Sequence, residues 1–416
     1  MTQITRRALF AGGTALALSS PALAQGAGVG FMSFTYAEEP NRPIIQALLD
    51  GFAASGGRVE PIGSAWGDVQ RNLLLRQRSR TLPDTAQIQD RWLPALAQLP
   101  ELQDLRPVLG ADLAAFYEPN VLSLGSVGER VVGLPFITGS IGMVANKEVM
   151  ARAGVEETPR TLDAFRAALL RVRDRVPNSV PFAMATRNPG SVPLDVLLLV
   201  WAHGGRLIDD AGTVLANSDA TRAAFAFMAG LMRDRLVAPE IDRPDARRLF
   251  GQANVGFYID PPQARIFARS FSGRGEAADA FVQPMAMPVA QAGQTPSSME
   301  WGHVIGLFRT GAAQTAWLRY LMGNDAQRIL LRLGALPATR GGRALPEVTG
   351  DTYLTAWAAA VGQPRKHEIG VWANAPELST IVTEETQAAL LGQKTSDAAV
   401  AALQTRLTAA MARRAG

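Results

Sequence analysis

From Val29 the chain alternates short strand-like runs with stretches whose apolar residues recur at helical spacing, and this alternation restricts the fold more than any other feature. Val29-Gly30-Phe31-Met32-Ser33-Phe34 reads as a buried strand. A turn through Glu38-Glu39-Pro40-Asn41-Arg42-Pro43 follows, and Ile44, Ile45, Leu48, Leu49 and Phe52 then share one helical face. Gly56-Gly57 ends that helix before a strand over 58–62, and a helix over 68–80 leads to a short strand over 82–88. The order predicts an α/β protein with a mostly parallel sheet and helices on both faces. Thr161 and Ser218 read as N-caps of later helices, and 204–214 as two short strands around an Asp-Ala-Gly turn. The 416 residues exceed what one core usually serves, yet no Pro/Gly/Ser linker divides them. Two lobes are therefore expected, with the chain crossing between them more than once.

The first 24 residues differ in kind. Arg6 and Arg7 precede an apolar, small-residue run from Ala8 to Ser20, and Ala22-Leu23-Ala24 is an A-x-A cleavage pattern before Gln25. This predicts a cleaved signal peptide, and the adjacent arginines resemble a twin-arginine export signal. No later stretch offers the roughly 18 charge-free apolar residues that a membrane span needs. The 41 Lys+Arg against 37 Asp+Glu give a net charge of +4, but cleavage would remove two arginines and no acid, halving that excess. Nucleic acid is excluded as a partner on charge. With Cys 0, thiolate zinc sites, iron–sulfur clusters, disulfides and cysteine nucleophiles are excluded, and three histidines leave little for a metal centre.

Motifs for chemistry are absent or incomplete. Gly392-Gln393-Lys394-Thr395 lacks the glycine next to the lysine of a phosphate loop, and His367-Glu368 lacks the second histidine of a zincin helix. Gly125-Ser126-Val127-Gly128 lacks nucleophile-elbow spacing, and no cofactor motif is present. Aromatic residues instead fall beside polar ones in segments expected to be loops: Tyr36, Trp66, Trp92, Tyr258, Trp301 and Trp372. Such loops at strand ends are where open α/β sheets bind ligands, and a flat ring beside carboxylates suits a sugar. Trp317 and Trp357 lie in apolar-patterned helices and are expected in the core.

The ordered segments Leu82-Pro83-Asp84-Thr85, Val132-Gly133-Leu134-Pro135-Phe136, Met143 to Glu148 and Ala153-Gly154-Val155 through Phe165 carry a resemblance. Gly204 to Gly212, Phe250 to Phe257 and Ala316 through Pro337 extend it. Together they resemble the family 1 extracellular solute-binding proteins of ABC importers, the maltose-binding-protein-like group. The resemblance implies a type II periplasmic binding protein-like fold: two α/β lobes joined by crossing strands with a ligand cleft between them. Lobe one would be 25–137 plus 303–336, and lobe two 138–302 plus 337–416. It also implies a soluble periplasmic monomer that captures a carbohydrate and passes it to membrane permease subunits, without cofactor or catalysis. Gln25 stands where lipoprotein members carry a cysteine, so no lipid anchor is expected. The cleft residues it implies are Tyr36, Glu38, Trp66 and Asp90 on lobe one. Ser140, Tyr258, Asp260, Glu300, Trp301 and Trp372 fall on the hinge or lobe two, with His303 at a crossing. Arg91 and Arg187 leave room for an anionic ligand. The competing reading is an exported carbohydrate-active enzyme using Asp260 and Glu300 as a carboxylate pair.

Overall fold

The computed structural model describes residues 28–414, so the expected leader and Gln25 lie outside the described residues. Strands β1 (Val29–Ser33), β2 (Val59–Gly63) and β3 (Thr85–Gln89) are linked through helices Arg42–Ala54 and Val69–Arg78. Both β2 and β3 pair with β1 in parallel, as strand–helix–strand order requires. The pattern changes at β4 (Leu134–Asn146), a strand of 13 residues. Beyond it come β5 (Val180–Ala183), β6 (Val255–Asp260) and the 11-residue β7 (Ser297–Leu307).

Among the described residues the main sheet runs β2-β1-β3-β7-β4-β6-β5. β7 is antiparallel to both β3 and β4, β4 is antiparallel to β6, and β5 is parallel to β6. The sheet is therefore mixed, not mostly parallel as the sequence pattern predicted. β4 carries the chain out of the first half of the molecule and β7 carries it back, and two such strands lying side by side must be antiparallel. Their register shifts between His303 and Val304, so the sheet changes direction where the halves meet. Short strand Leu336–Pro337 pairs with β4 at Thr138 and Ile137, placing a third chain passage at the same level.

Local signals act as read. Thr161 Oγ1 accepts from the Ala164 amide and Ser218 Oγ from Thr221, each at 3.2 Å. Trp317 is fully buried against Phe31 and Phe52, and Trp357 is buried beneath β4. Segment 204–214 forms a single Ile208–Val214 bridge instead of two strands. Asp209 Oδ1 takes the Ala211 and Thr213 amides at 3.0 and 2.7 Å, holding the turn through its side chain. Tyr258 and Trp301, expected in loops, lie within β6 and β7.

Helix Val192–Ala202 is buried at every position and forms the centre of the second half. It is pinned by Glu368, whose carboxylate is buried. Glu368 Oε1 accepts from Trp201 Nε1 at 2.7 Å and from Arg206 and Arg365 at 3.2 Å, while Oε2 accepts the Leu207 and Ile208 amides. Glu368→Ala should cost about 3 kcal/mol or more in urea unfolding, because an indole N–H and two amides lose their acceptor together. A cost below 1 kcal/mol would show that this carboxylate does not hold the helix.

Candidate ligand-binding cleft

The site is built from the end of β1. Ser33 caps the one-turn helix Phe34–Ala37, its Oγ accepting the Tyr36 amide at 3.0 Å and donating to Gln87 Oε1 at 2.7 Å. The turn throws Phe34 and Glu38 toward the second half of the molecule. After β3 the chain tightens into a 3₁₀ turn, Asp90–Trp92, which turns Arg91 and Trp92 inward. From the other side, helix Arg243–Gly251 supplies Arg243 and Arg247, and the end of β6 supplies Asp260.

These groups enclose a cavity between the two halves, bounded by Phe34, Trp66, Arg91, Arg247, Trp301 and His303, with Glu38, Gln89, Ile141, Leu194, Arg243 and Asp260 also in its wall. The space between these side chains, open solvent at its mouth included, is about 510 Å³. The side chains crowd in, and only a small part of that space admits a water-sized sphere. The halves are thus close together, and Arg247 spans them: its guanidinium binds Asp260 bidentately at 2.9 Å, reaches Glu38 at 3.5 Å, and lies 3.9 Å from the Phe267 ring centroid. Burial raises the Glu38 pKa, and Arg247 opposes that rise.

Arg243 is held by a separate chain of contacts. It ion-pairs with buried Asp195 and donates to the Ile259 carbonyl, while Asp242 caps its amide and accepts from Ser191 Oγ at 2.6 Å. Arg91 differs. Its guanidinium sits 5.6 Å from the Trp66 ring and 5.5 Å from Trp92, in cation–π range of both.

His303 is read from its neighbours. The Thr35 amide must donate, so it fixes Gln87 Oε1 on its side and turns Gln87 Nε2 toward Thr35 Oγ1 at 2.7 Å and His303 Nδ1 at 2.8 Å. His303 Nδ1 therefore accepts, and the neutral ring carries its proton on Nε2. Burial, with Arg91 and Arg247 nearby, drives its pKa well below the usual histidine value.

Of the residues singled out in the sequence, Glu38, Trp66, Arg91, Asp260, Trp301 and His303 line the cavity. Tyr36 packs beside Arg42 and does not line it. Ser140 lies one position before cavity-lining Ile141 and instead accepts from Trp357 Nε1 at 3.3 Å. Glu300 precedes Trp301 in β7, so strand alternation puts it on the opposite face. Tyr258 shares a face with Asp260 but stands two residues deeper in β6, packed on Phe250 at 4.6 Å. Asp90 is outside the wall that its neighbour Arg91 enters, and burial pushes its pKa up to about 6. Trp372 donates to the Glu368 carbonyl at 2.9 Å, outside the cavity. Arg187 pairs with Asp245 at 3.2 Å and is half-exposed. Phe34, Gln89, Arg243 and Arg247 were not singled out. Arg243 alone carried a signal, following the Asp242 cap of its helix.

The chain matches the bacterial extracellular solute-binding protein family over residues 36–328, and it belongs to that family. Its fold is the type II periplasmic binding protein fold, two α/β lobes with a cleft between them. A putative binding protein of Brucella abortus strain 2308 is 22% identical over 254 residues, 59% of this chain. The chain spans 61% of that relative's length. Among solved structures, maltose-bound MalE3 of T. maritima superposes with a TM-score of 0.79 at 19% identity, over 92% of this chain and 99% of that one. A solute-binding protein of Thermotoga lettingae bound to alpha-D-tagatose gives 0.79 at 17% identity, over 93% and 100%. Among the described residues, no helix is long and apolar enough to cross a membrane, and no cluster of His, Asp and Glu could hold a metal ion.

Histidine 367 borders the groove outside Arg91, and its Nδ1 accepts the Ile369 and Gly370 amides. Burial, with Arg91 adding to it, pushes its pKa down to about 3. The unfolded chain takes up that proton near pH 6.5 and the folded chain does not, so the contribution to stability is complete above pH 6.5 and is lost as pH falls toward 3. In urea titrations between pH 6.5 and 4.5, His367→Asn should flatten the fall in stability by about 1.4 kcal/mol per pH unit relative to wild type. Parallel slopes would mean that His367 is protonated in the fold.

Proposed function

We propose that this protein is the solute receptor of an ABC importer and captures a carbohydrate, meaning a sugar, polyol or sugar derivative, in the cavity between its lobes. The observation that carries the reading is the cavity wall itself. Phe34 and Trp66 from one lobe and Trp301 from a crossing strand line it beside Gln89, His303 and the Arg247–Asp260 pair. Ring faces take the C–H side of a sugar, and the polar groups take its hydroxyls. The solved relatives named above hold maltose and tagatose, which supports the same class of solute here.

The lobes divide in this reading at 137/138 and 302/303, with 303–336 returning to lobe one and 337–416 to lobe two. β4 and β7 would act as the hinge, and membrane permease subunits would recognise the closed form of a monomer. Residues 1–24 would direct export by the twin-arginine route and be removed, leaving a periplasmic protein that diffuses freely. Capture without catalysis fits the site: Asp260 is committed to Arg247, and Glu300 stays outside the cavity, so the two carboxylates do not converge on a common reactant.

Ligand-stripped protein should gain thermal stability from at least one member of a panel of sugars, polyols, sugar phosphates and uronates, by about 2.7 kcal/mol at a hundredfold excess over Kd. Trp66→Ala should weaken that ligand about tenfold in calorimetry, since a stacked ring contributes about 0.5–1.5 kcal/mol beyond its area. A panel that leaves the melting curve unmoved rejects carbohydrate capture.

A further inference from the structure

Three guanidiniums reach the cavity, and two are neutralised. Arg243 has Asp195, and Arg247 has Asp260 and Glu38. Arg91 has no carboxylate within 4 Å among the described residues, and the adjacent Asp90 lies beyond that distance. It is only 9% exposed, and its Nη2 is buried without a hydrogen-bond partner. A buried guanidinium left in this way is expensive; stacking on Trp66 and Trp92 offsets only part of that cost. Burial, reinforced by Arg243, draws its pKa down to about 10 against the opposing field of Asp90. It is still a full cation at neutral pH.

The other charges in the wall are balanced. Both carboxylates there, Glu38 and Asp260, are paired with Arg247, so no negative charge among the described wall residues is left over for Arg91. The Arg91 fork and the Nε2–H of His303 face this space as donors, beside the side-chain amides of Gln89 and Gln263, and Gln89 Oε1 is buried without a partner. Arg91 also borders the outer groove, with Gln70, Trp92, Asn188 and His367, so it stands at the junction between the cavity and its mouth.

We propose that the captured solute carries an anionic group, a carboxylate or a phosphate on a sugar or polyol, and that Arg91 receives it through its planar fork with His303 Nε2–H assisting. The inference rests on the cavity being the solute site. A guanidinium matches both anions bidentately, which a lysine at this position would not. The adjacent Trp66 and Trp301 faces hold the carbon skeleton.

Calorimetry on ligand-stripped protein with matched sets tests this: glucose, glucuronate and glucose 6-phosphate; galactose and galacturonate; glycerol and glycerol 3-phosphate. At least one anionic member should bind a hundredfold or more tighter than its neutral parent, and the carboxylate and phosphate arms identify which anion it is. Arg91→Gln should erase that preference, while Arg91→Lys, which keeps the charge and loses the fork, should retain part of it. Ligand-free Arg91→Gln should melt no lower than wild type, because it removes an unpaired buried charge; a merely structural arginine would lower the melting temperature and leave the anion preference intact. A neutral sugar binding as tightly as every anionic derivative, or an anion preference that survives Arg91→Gln, overturns the proposal and leaves carbohydrate capture standing. If no member of any set binds, both readings fall.

Discussion

The antiparallel ladder between β4 and β7 is the constraint on which the rest of the molecule depends. Its register, Met299 opposite Ile141 through Ile305 opposite Leu134, brings together residues about 160 positions apart and threads both lobes. Both strands feed one apolar core that runs continuously through the two halves, while Val144 of β4 adds to a second around Phe250 and Tyr258 and Val304 of β7 to a third around Ile88 and Trp92. The ladder sets the height of Ile141, Trp301 and His303 together, so the floor of the cavity is defined by backbone hydrogen bonds and not by loops. Loop-borne groups such as Glu38 and Arg91 then close over that floor. A site built this way has a base fixed by the sheet beneath walls that could separate, which fits the proposed capture of a solute.

Electrostatics inside the cleft are arranged by pairing within and across lobes. Asp195, buried on an otherwise apolar helix, is tolerable only because Arg243 and the Ala185 amide satisfy it. That pair lies within the second lobe and persists whatever the lobes do. The Arg247–Asp260 pair is also internal to that lobe, whereas Arg247 to Glu38 crosses between lobes. One arginine thus serves as a fixed partner for one acid and a separable partner for another.

Much of this fold was legible because its signals are local. An N-cap needs a side-chain oxygen three residues before an amide, and Thr161 and Ser218 satisfy it within a single turn. Period-3.6 apolar spacing likewise marked Arg42–Ala54. The site was less legible, and the differences share a cause. At Ser140 the polar residue drew attention while its neighbour Ile141 lines the cavity, and of the adjacent pairs Asp90–Arg91 and Glu300–Trp301, all four named, only Arg91 and Trp301 reach it. Successive residues of a strand face opposite ways, and only long-range pairing decides which face becomes the cleft. Tyr258 shows the other limit: expected in a loop, it lies in β6 on the face of Asp260 but two residues deeper, packed on Phe250, and that depth depends on where the strand ends beneath its helices. Arg91 could not be separated from other arginines by type, because what distinguishes it is burial and the lack of a partner, both tertiary properties.

The cross-lobe pair also bears on what closes the cleft. Bringing Glu38 beneath Arg247 desolvates a carboxylate, and its raised pKa is the direct mark of that cost. A partly buried ion pair at 3.5 Å returns about as much as its desolvation takes, so it fixes the geometry of closure without driving it. Arg91 acts more strongly in the same sense: closing the lobes around an unpaired guanidinium is unfavourable by itself. The populations of open and closed forms must then be set by whatever enters between them, since a solute shifts such an equilibrium only by the difference in its affinity for the two states. A cavity whose acids are already matched, and whose one unpaired cation among the described residues is buried, makes that difference large for a solute that supplies the missing negative charge. Under the proposed capture, the same arrangement would keep the closed form scarce when no solute is bound.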